Sequence, residues 1–310
     1  MRQPGEIAQL LSPGRREAVR QTLVGYSLTF WGTRGSIPTP GPRTARYGGN
    51  TPCVGVADGD GHLIVLDAGS GLRPLGSAIM ADGDAMIAHL LLSHTHWDHI
   101  QGFPFFKPLG VTGNEVHIYG AAQEGVSLEE ILRRQMEPTV FPVPLSALAA
   151  TLVVTPVVEG TFEVDGFRVG AFRLRHPGTT LGFRLIPNDG GREVAYLTDN
   201  ELGPGGTYSV RPDWRSGLVE FLGGVDTLIH DAMYSESVIA ARAGWGHSTP
   251  KQAIDLAADA GCCRLVLFHH DPESDDEMLD GRLRDAKTYA ASRAPKLKVE
   301  AACEGERLTL

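Results

Sequence analysis

A chain of 310 residues, 42% of them hydrophobic, is long enough to bury a full core as one large domain or two small ones. Its 28 basic against 37 acidic residues leave a formal charge of −9, the reverse of the balance by which a protein grips phosphates, so long nucleic acid is disfavoured as a partner. The longest apolar runs, Leu63 to Ala68 and His89 to Leu92, fall far short of a bilayer span, and the first residues hold no basic segment followed by an apolar core; a cytoplasmic protein with no membrane partner is expected. Residues 1–26 mix charges with Pro4, Pro13 and Gly14 and read as an N-terminal extension, leaving 27–310 as the domain proper. From Ser27, short apolar runs alternate with glycine, and two of them bracket Asp58-Gly59-Asp60-Gly61, the signature of a hairpin turn. The second run, His62 to Leu66, ends at Asp67-Ala68-Gly69-Ser70-Gly71. The next, Ala88 to Leu92, delivers Ser93 and His94.

A helix is expected around Leu128 to Glu137, stopped by Pro138, Pro142 and Pro144. A second set of strands runs from Thr151 through Leu185, with hairpins turned by Asp165-Gly166 and by Asn188-Asp189-Gly190-Gly191. The last third alternates strand and helix: Thr227 to His230, Pro250 to Ala260, Arg264 to Phe268, Met278 to Arg293, Lys298 to Ala302. Pro250 suits a first helical position, capped by Thr249 or Ser248. This order of strands and helices, repeated twice, fits an α/β fold of two sheets packed face to face with helices outside. The four cysteines, Cys53, Cys262, Cys263 and Cys303, include no CxxC pair, which points to reduced, mostly buried thiols rather than a thiolate site.

The segment that carries chemistry is His94-Thr95-His96-Trp97-Asp98-His99, three imidazoles and a carboxylate within six residues directly after a buried strand. Neutral imidazole nitrogen and carboxylate oxygen are the ligands zinc and similar divalent ions prefer, and alternate residues of an extended loop point the same way. This HxHxDH pattern resembles the metal-binding signature of the metallo-β-lactamase superfamily, and the resemblance extends over nearly the whole chain from Ser27. It implies the four-layered αββα sandwich and a two-metal site completed at the ends of later strands. By that resemblance one ion takes His94, His96 and His176, the other takes Asp98, His99 and His269, and Asp199 bridges them. The cofactors implied are two divalent ions, zinc first, with manganese or iron compatible. His269 and His270 are adjacent, and strand alternation lets only one face the site; His269 fits the family spacing, leaving His270 to support it or to lie in a solvated loop. Asp67 is expected to orient the ligand loop by hydrogen bonds. His62, His89 and His117 carry no partner pattern and read as structural.

Two divalent ions side by side lower the proton affinity of a hydroxide between them and neutralise charge on the atom under attack. Departure of an alkoxide further calls for a proton donor. Gly246-His247-Ser248-Thr249 before a helix and His230-Asp231-Ala232 at a strand end resemble segments of ribonuclease Z and its small-molecule phosphodiesterase relatives. The resemblance implies that His247 assists the leaving oxygen and Asp231 orients it, so that His247, Asp231 and Asp98 stand as the catalytic residues. A neighbouring carboxylate raises an imidazole's pKa and fixes its tautomer. The basic arm with which ribonuclease Z grips tRNA has no room here, because His176 and Asp199 are separated by one compact hairpin. A small phosphodiester, cyclic nucleotides and related cyclic phosphates included, is therefore the expected substrate, with Arg34, Arg43 and Arg46 as candidate anion contacts. Lactone or thioester hydrolysis on the same ligands, and tRNA 3′-end cleavage, are the rival activities; a non-catalytic metal sensor is the reading outside enzymology. A homodimer is left open.

Overall fold

In the computed structural model the described residues are 26–58, 62–80 and 85–310. The expected N-terminal extension, but for Tyr26, and the tip of the expected Asp58 to Gly61 turn lie outside them. The described chain divides into two compact units. Unit 1 comprises the residues up to Gly32, Pro52–Val157 and Gly305–Leu310; unit 2 comprises Thr33–Thr51 and Val158–Glu304.

Unit 1 holds strands β1 (Ser27–Gly32), β2 (Cys53–Ala57), β3 (Leu63–Leu66), β4 (Ile87–Leu91), β5 (Glu115–Gly120) and β6 (Thr151–Pro156), joined by the last strand of the chain, β14 (Arg307–Thr309). Their order is β14-β1-β2-β3-β4-β5-β6. The first four pair antiparallel, and from β3 onward the neighbours run parallel, with Leu66 opposite Leu91 and Leu91 opposite Tyr119. Thr151–Pro156 was expected to open the second set of strands. Instead it pairs in parallel with β5, so the second set begins only at Gly160. Helices α1 (Leu72–Ile79) and α3 (Leu128–Gln135) place Leu72, Leu75, Leu128 and Leu132 against Val65, Leu90, Val116 and Ile118. Between them lies a single helical turn, α2 (Trp97–Ile100).

Unit 2 repeats the plan with strands β7 (Gly160–Val164), β8 (Phe167–Arg173), β9 (Leu181–Pro187), β10 (Val194–Leu197), β11 (Thr227–Asp231), β12 (Arg264–Phe268) and β13 (Lys298–Ala301) in the order β13-β12-β11-β10-β9-β8-β7. Strands β7 to β10 are antiparallel and β10 to β13 parallel. Asp165 and Gly166 both take positive φ, 31° and 82°, as the tight turn from β7 to β8 requires. Helices α4 (Trp214–Leu222), α5 (Pro250–Asp259) and α6 (Asp276–Arg293) pack Leu218, Leu222, Ala253, Leu256, Ala257 and Ala286 on Ala195, Leu197, Leu228 and Leu265. Thr249 caps α5 in a reciprocal capping box with Gln252, and Pro250 follows at the first position. Strands β3, β10 and β11 are buried along their whole length, which is why they read as unbroken apolar runs.

Cys53 and Cys262 are buried, Cys303 is half-buried and Cys263 is exposed, so the thiols are less uniformly interior than the sequence suggests. Among the described residues no helix is long and apolar enough to cross a membrane.

Candidate active site

In each unit the candidate residues leave the carboxyl ends of the parallel strands, where open α/β sheets place their ligands. Asp67 follows β3, Ser93 and His94 follow β4, Asp199 follows β10, Asp231 ends β11 and His269 follows β12. Three of these, Asp67, Asp199 and His269, have left-handed backbones with φ of 61°, 53° and 58°. Outside glycine that region is sparsely used, though Asp and His tolerate it best, and each instance costs about 1–3 kcal/mol that the surrounding structure must offset.

In unit 1 the Asp67 carboxylate is fully buried and organises the ligand loop. Its Oδ1 accepts from the Ser93 amide at 2.7 Å, and its Oδ2 accepts from the Ser93 hydroxyl at 2.8 Å and from His99 Nδ1 at 2.8 Å. The Ser93 hydroxyl thus donates its one proton to Asp67, so the 3.0 Å contact between Ser93 Oγ and His94 Nδ1 has the imidazole as donor. Both His94 and His99 are thereby left with an Nε2 lone pair. His94 Nε2 faces His96 Nδ1 at 3.0 Å, and His99 Nε2 faces Asp98 Oδ2 at 3.2 Å. The loop is held from below by Ala68, whose amide donates to His99 O and whose carbonyl accepts from the Gly102 amide.

Unit 2 shows the same arrangement. His176 Nδ1 donates to Gly246 O at 3.0 Å, which turns its Nε2 lone pair toward Asp199 Oδ2 at 3.6 Å. The other oxygen, Oδ1, lies 3.1 Å from His269 Nε2 and accepts from Thr198 Oγ1 at 2.7 Å. One carboxylate therefore offers an oxygen to each of two histidines. The approach of His176 to the loop requires glycine at 246, since a Cβ there would lie 1.9 Å from His176 Nδ1. His269 and His270 part company as alternation demands. His270 donates from Nε2 to Ala302 O at 2.9 Å, packs edge-on to Tyr47, and is held neutral by burial, its pKa pushed down to about 3. It is buried and not part of a solvated loop.

His247 lies beside this set. Its Nδ1 is 2.7 Å from Asp231 Oδ2, and its ring stacks on His269 with centroids 5.2 Å apart. Asp231 is fully buried and also accepts from the amides of Met233 and Asn200. Asp199, His247 and His269 each bring one donor atom to within 4.8 Å of the others.

Lone pairs facing lone pairs repel unless a proton or a cation lies between them. A second proton on His94, His99 or His176, whose Nδ1 already donates, would add a buried charge, which desolvation opposes. Two ligands of one tetrahedral zinc, bonded at about 2.0–2.1 Å, stand roughly 3.3 Å apart. The four spacings, 3.0, 3.2, 3.1 and 3.6 Å, bracket that value. The donor sets present in each unit therefore fit divalent cations.

Of the candidate anion contacts, Arg34 is closed to solvent, while Arg43 and Arg46 are exposed and already face carboxylates. Arg34 is fully buried and donates to the carbonyls of Gly48, Asp271 and Ser274. Arg43 pairs with Asp275, and Arg46 with Asp276 and Asp280. Sequence reasoning also passed over Glu201. Its buried carboxylate accepts from the amides of Gly206, Gly244 and Gly246 and from the Tyr208 hydroxyl, and so fixes the segment that carries His247. The run Asp199-Asn200-Glu201, three polar residues directly after a buried strand, was its signal. His62, His89 and His117 take structural roles: His62 pairs with Asp58, His117 with Glu115, and His89 stacks on His117.

Residues 62–270 match the beta-lactamase superfamily domain, and the chain belongs to that superfamily. The class so defined is a metal-dependent hydrolase. Within it the chain is 26% identical, over 284 residues, to ribonuclease Z of Archaeoglobus fulgidus, covering 79% of this chain and 87% of the relative. Its fold is that of human tRNase Z, short form (TM-score 0.61, 22% identity, 91% and 98% of the two chains), and of a diphosphatase from the PhnP family (TM-score 0.63, 20% identity, 92% and 97%).

Proposed function

We propose that this hydrolase is a phosphodiesterase acting on a small or cyclic phosphodiester, with 27–310 as its hydrolase domain. The reading assigns His94, His96 and His176 to one divalent ion, Asp98, His99 and His269 to a second, and Asp199 to both. Zinc suits this nitrogen and oxygen set, with manganese or iron chemically admissible. The observation that supports it most is Asp199, whose two oxygens lie 3.6 and 3.1 Å from the Nε2 atoms of two different histidines, His176 and His269. When bound, the ions supply an activated water and neutralise charge on the phosphate under attack.

The residues of the chain itself act at the leaving group. His247 gives a proton from Nε2 to the departing alkoxide oxygen while Nδ1 stays on Asp231. The carboxylate keeps the ring in one orientation and offsets the positive charge of its protonated form. Asp67 does the equivalent for the ligand loop through His99 and Ser93.

A ribonuclease Z activity is the second reading, favoured by the names of the relatives. Against it, the chain from His176 to Asp199 consists of β9, a turn and β10, without an inserted arm, and the net charge is −9. The experiment is a turnover panel on zinc- and manganese-loaded protein: bis-p-nitrophenyl phosphate, cyclic nucleotides, precursor tRNA, a lactone and a thioester. Diester or cyclic nucleotide hydrolysis without tRNA cleavage is expected. Preferential cleavage of precursor tRNA, or of the thioester, would replace the reading.

A further inference from the structure

Among the arginines of unit 2, Arg184, Arg211, Arg215, Arg264, Arg282 and Arg293 all meet carboxylates. Arg242 differs. It ends a short 3-10 turn (Ile239–Arg242) five residues before His247, is exposed, and meets no carboxylate among the described residues. Its guanidinium instead lies over two aromatic faces, 4.3 Å from the Trp245 ring centre and 5.9 Å from that of Tyr234. Burial pushes the Tyr234 hydroxyl up to about 12, so it stays neutral and leaves the arginine's charge unbalanced. Stacking consumes the guanidinium faces and leaves its N–H edge for a planar or anionic acceptor.

The placement of this cation follows a sequence of contacts. His247 stacks on His269 and meets the Tyr234 ring edge-on at 5.5 Å, and Arg242 in turn lies over Tyr234. The segment does not drift, because Glu201 accepts from the amides of Gly244 and Gly246, on either side of Trp245. Trp245 itself keeps 51% of its surface exposed beside the Arg242 charge. A group that binds there lies next to Tyr234, whose ring packs against that of the proton donor His247.

We infer that Arg242, stacked on Trp245, is a specificity-determining residue that binds a second anionic group, a phosphate or carboxylate carried on the leaving alcohol. This rests on the phosphodiesterase reading and on His247 serving the leaving oxygen. It places the substrate among diesters whose leaving alcohol is itself charged, rather than among neutral alkyl or aryl diesters.

The test uses metal-loaded protein and two aryl diesters of methyl phosphate matched in size, one leaving 4-carboxyphenol and the other 4-carbamoylphenol. Wild-type protein is expected to favour the carboxylate in kcat/KM by about tenfold, the usual size of a charge-assisted hydrogen bond, with the difference mainly in KM. In R242Q the preference collapses to about one, and R242K restores part of it. Calorimetric binding of 4-carboxyphenyl and 4-carbamoylphenyl phosphate provides a readout independent of turnover. An Arg242-dependent preference in binding with no diester turnover would retain the anion site and remove the phosphodiesterase reading. Equal handling of the two compounds by wild type, or a preference that survives R242Q in both measurements, would overturn the inference.

Discussion

The Nδ1 atom of His247 and the Oδ2 atom of Asp231 are 2.7 Å apart, with the carboxylate fully buried and the imidazole nearly so. Capping of α5 falls to Thr249, not to His247. His247→Ala should therefore leave bound metal unchanged while slowing alkyl diesters by about 100-fold or more and p-nitrophenyl diesters by less than tenfold. Asp231→Asn should fall between wild type and that variant. The comparison of kcat across leaving groups checks it, and equal slowing of good and poor leaving groups would remove the acid assignment.

Asp67 accepts three hydrogen bonds at zero exposure, from Ser93 twice and from His99. Asp67→Ala leaves those donors buried without their acceptor and frees the His99 ring to rotate. Metal affinity should weaken by about 10- to 100-fold, measured by competition with a chelator. Asp67→Asn keeps the left-handed backbone but presents an N–H to donors, and should resemble the alanine variant more than wild type.

Glu201 gathers four donors, three of them backbone amides. Glu201→Ala should cost about 2–3 kcal/mol in urea unfolding, because the amides of Gly244 and Gly246 lose a charged acceptor in a buried place. A change below about 0.5 kcal/mol, the ordinary range for an unimportant surface position, would show that water replaces the carboxylate freely.

His230 is buried, bonded to Asn200 Nδ2 and the Asp231 carbonyl, and burial lowers its pKa below the ordinary value. The sign follows from proton counts. As pH falls through about 6.5, the unfolded chain takes a proton at this ring and the folded chain does not, so folding stability from this group is complete above that pH and is lost on acidification. Metal-free protein unfolded in urea at pH 7.5, 6.5 and 5.5 should lose stability with falling pH, and His230→Asn should lose less. Parallel slopes for the two proteins would mean that the folded ring titrates normally.

Much of this was legible in the chain because buried parallel strands are continuous apolar runs that stop abruptly. Leu63 to Leu66, Val194 to Leu197 and Arg264 to Phe268 each end within two residues of a chemically loaded side chain, and that edge is visible without coordinates. Asp165-Gly166 declared its turn for the same local reason. Three things were hidden. Helix α4 carries Gly217 and Ser216 in its middle, so propensity obscured it, while its burial is decided by Leu218 and Leu222 against β10 and β11. Strand β14 is three residues long and exists through pairing with β1. Arg34 sits in a glycine- and proline-rich stretch that reads as solvated, yet its guanidinium is buried by carbonyls from Gly48, Asp271 and Ser274, residues up to 240 positions away. Burial of a cation by distant carbonyls leaves no periodic trace in the sequence, and the same holds for Glu201.

The most direct test is metal analysis of purified protein by mass spectrometry, paired with diesterase turnover, for wild type and Asp199→Ala. Wild type is expected to hold about two divalent ions per chain and to cleave bis-p-nitrophenyl phosphate, and Asp199→Ala to lose both ions and the activity together. A fully active wild type with one ion or none, or an Asp199→Ala protein that keeps two, would contradict the assignment.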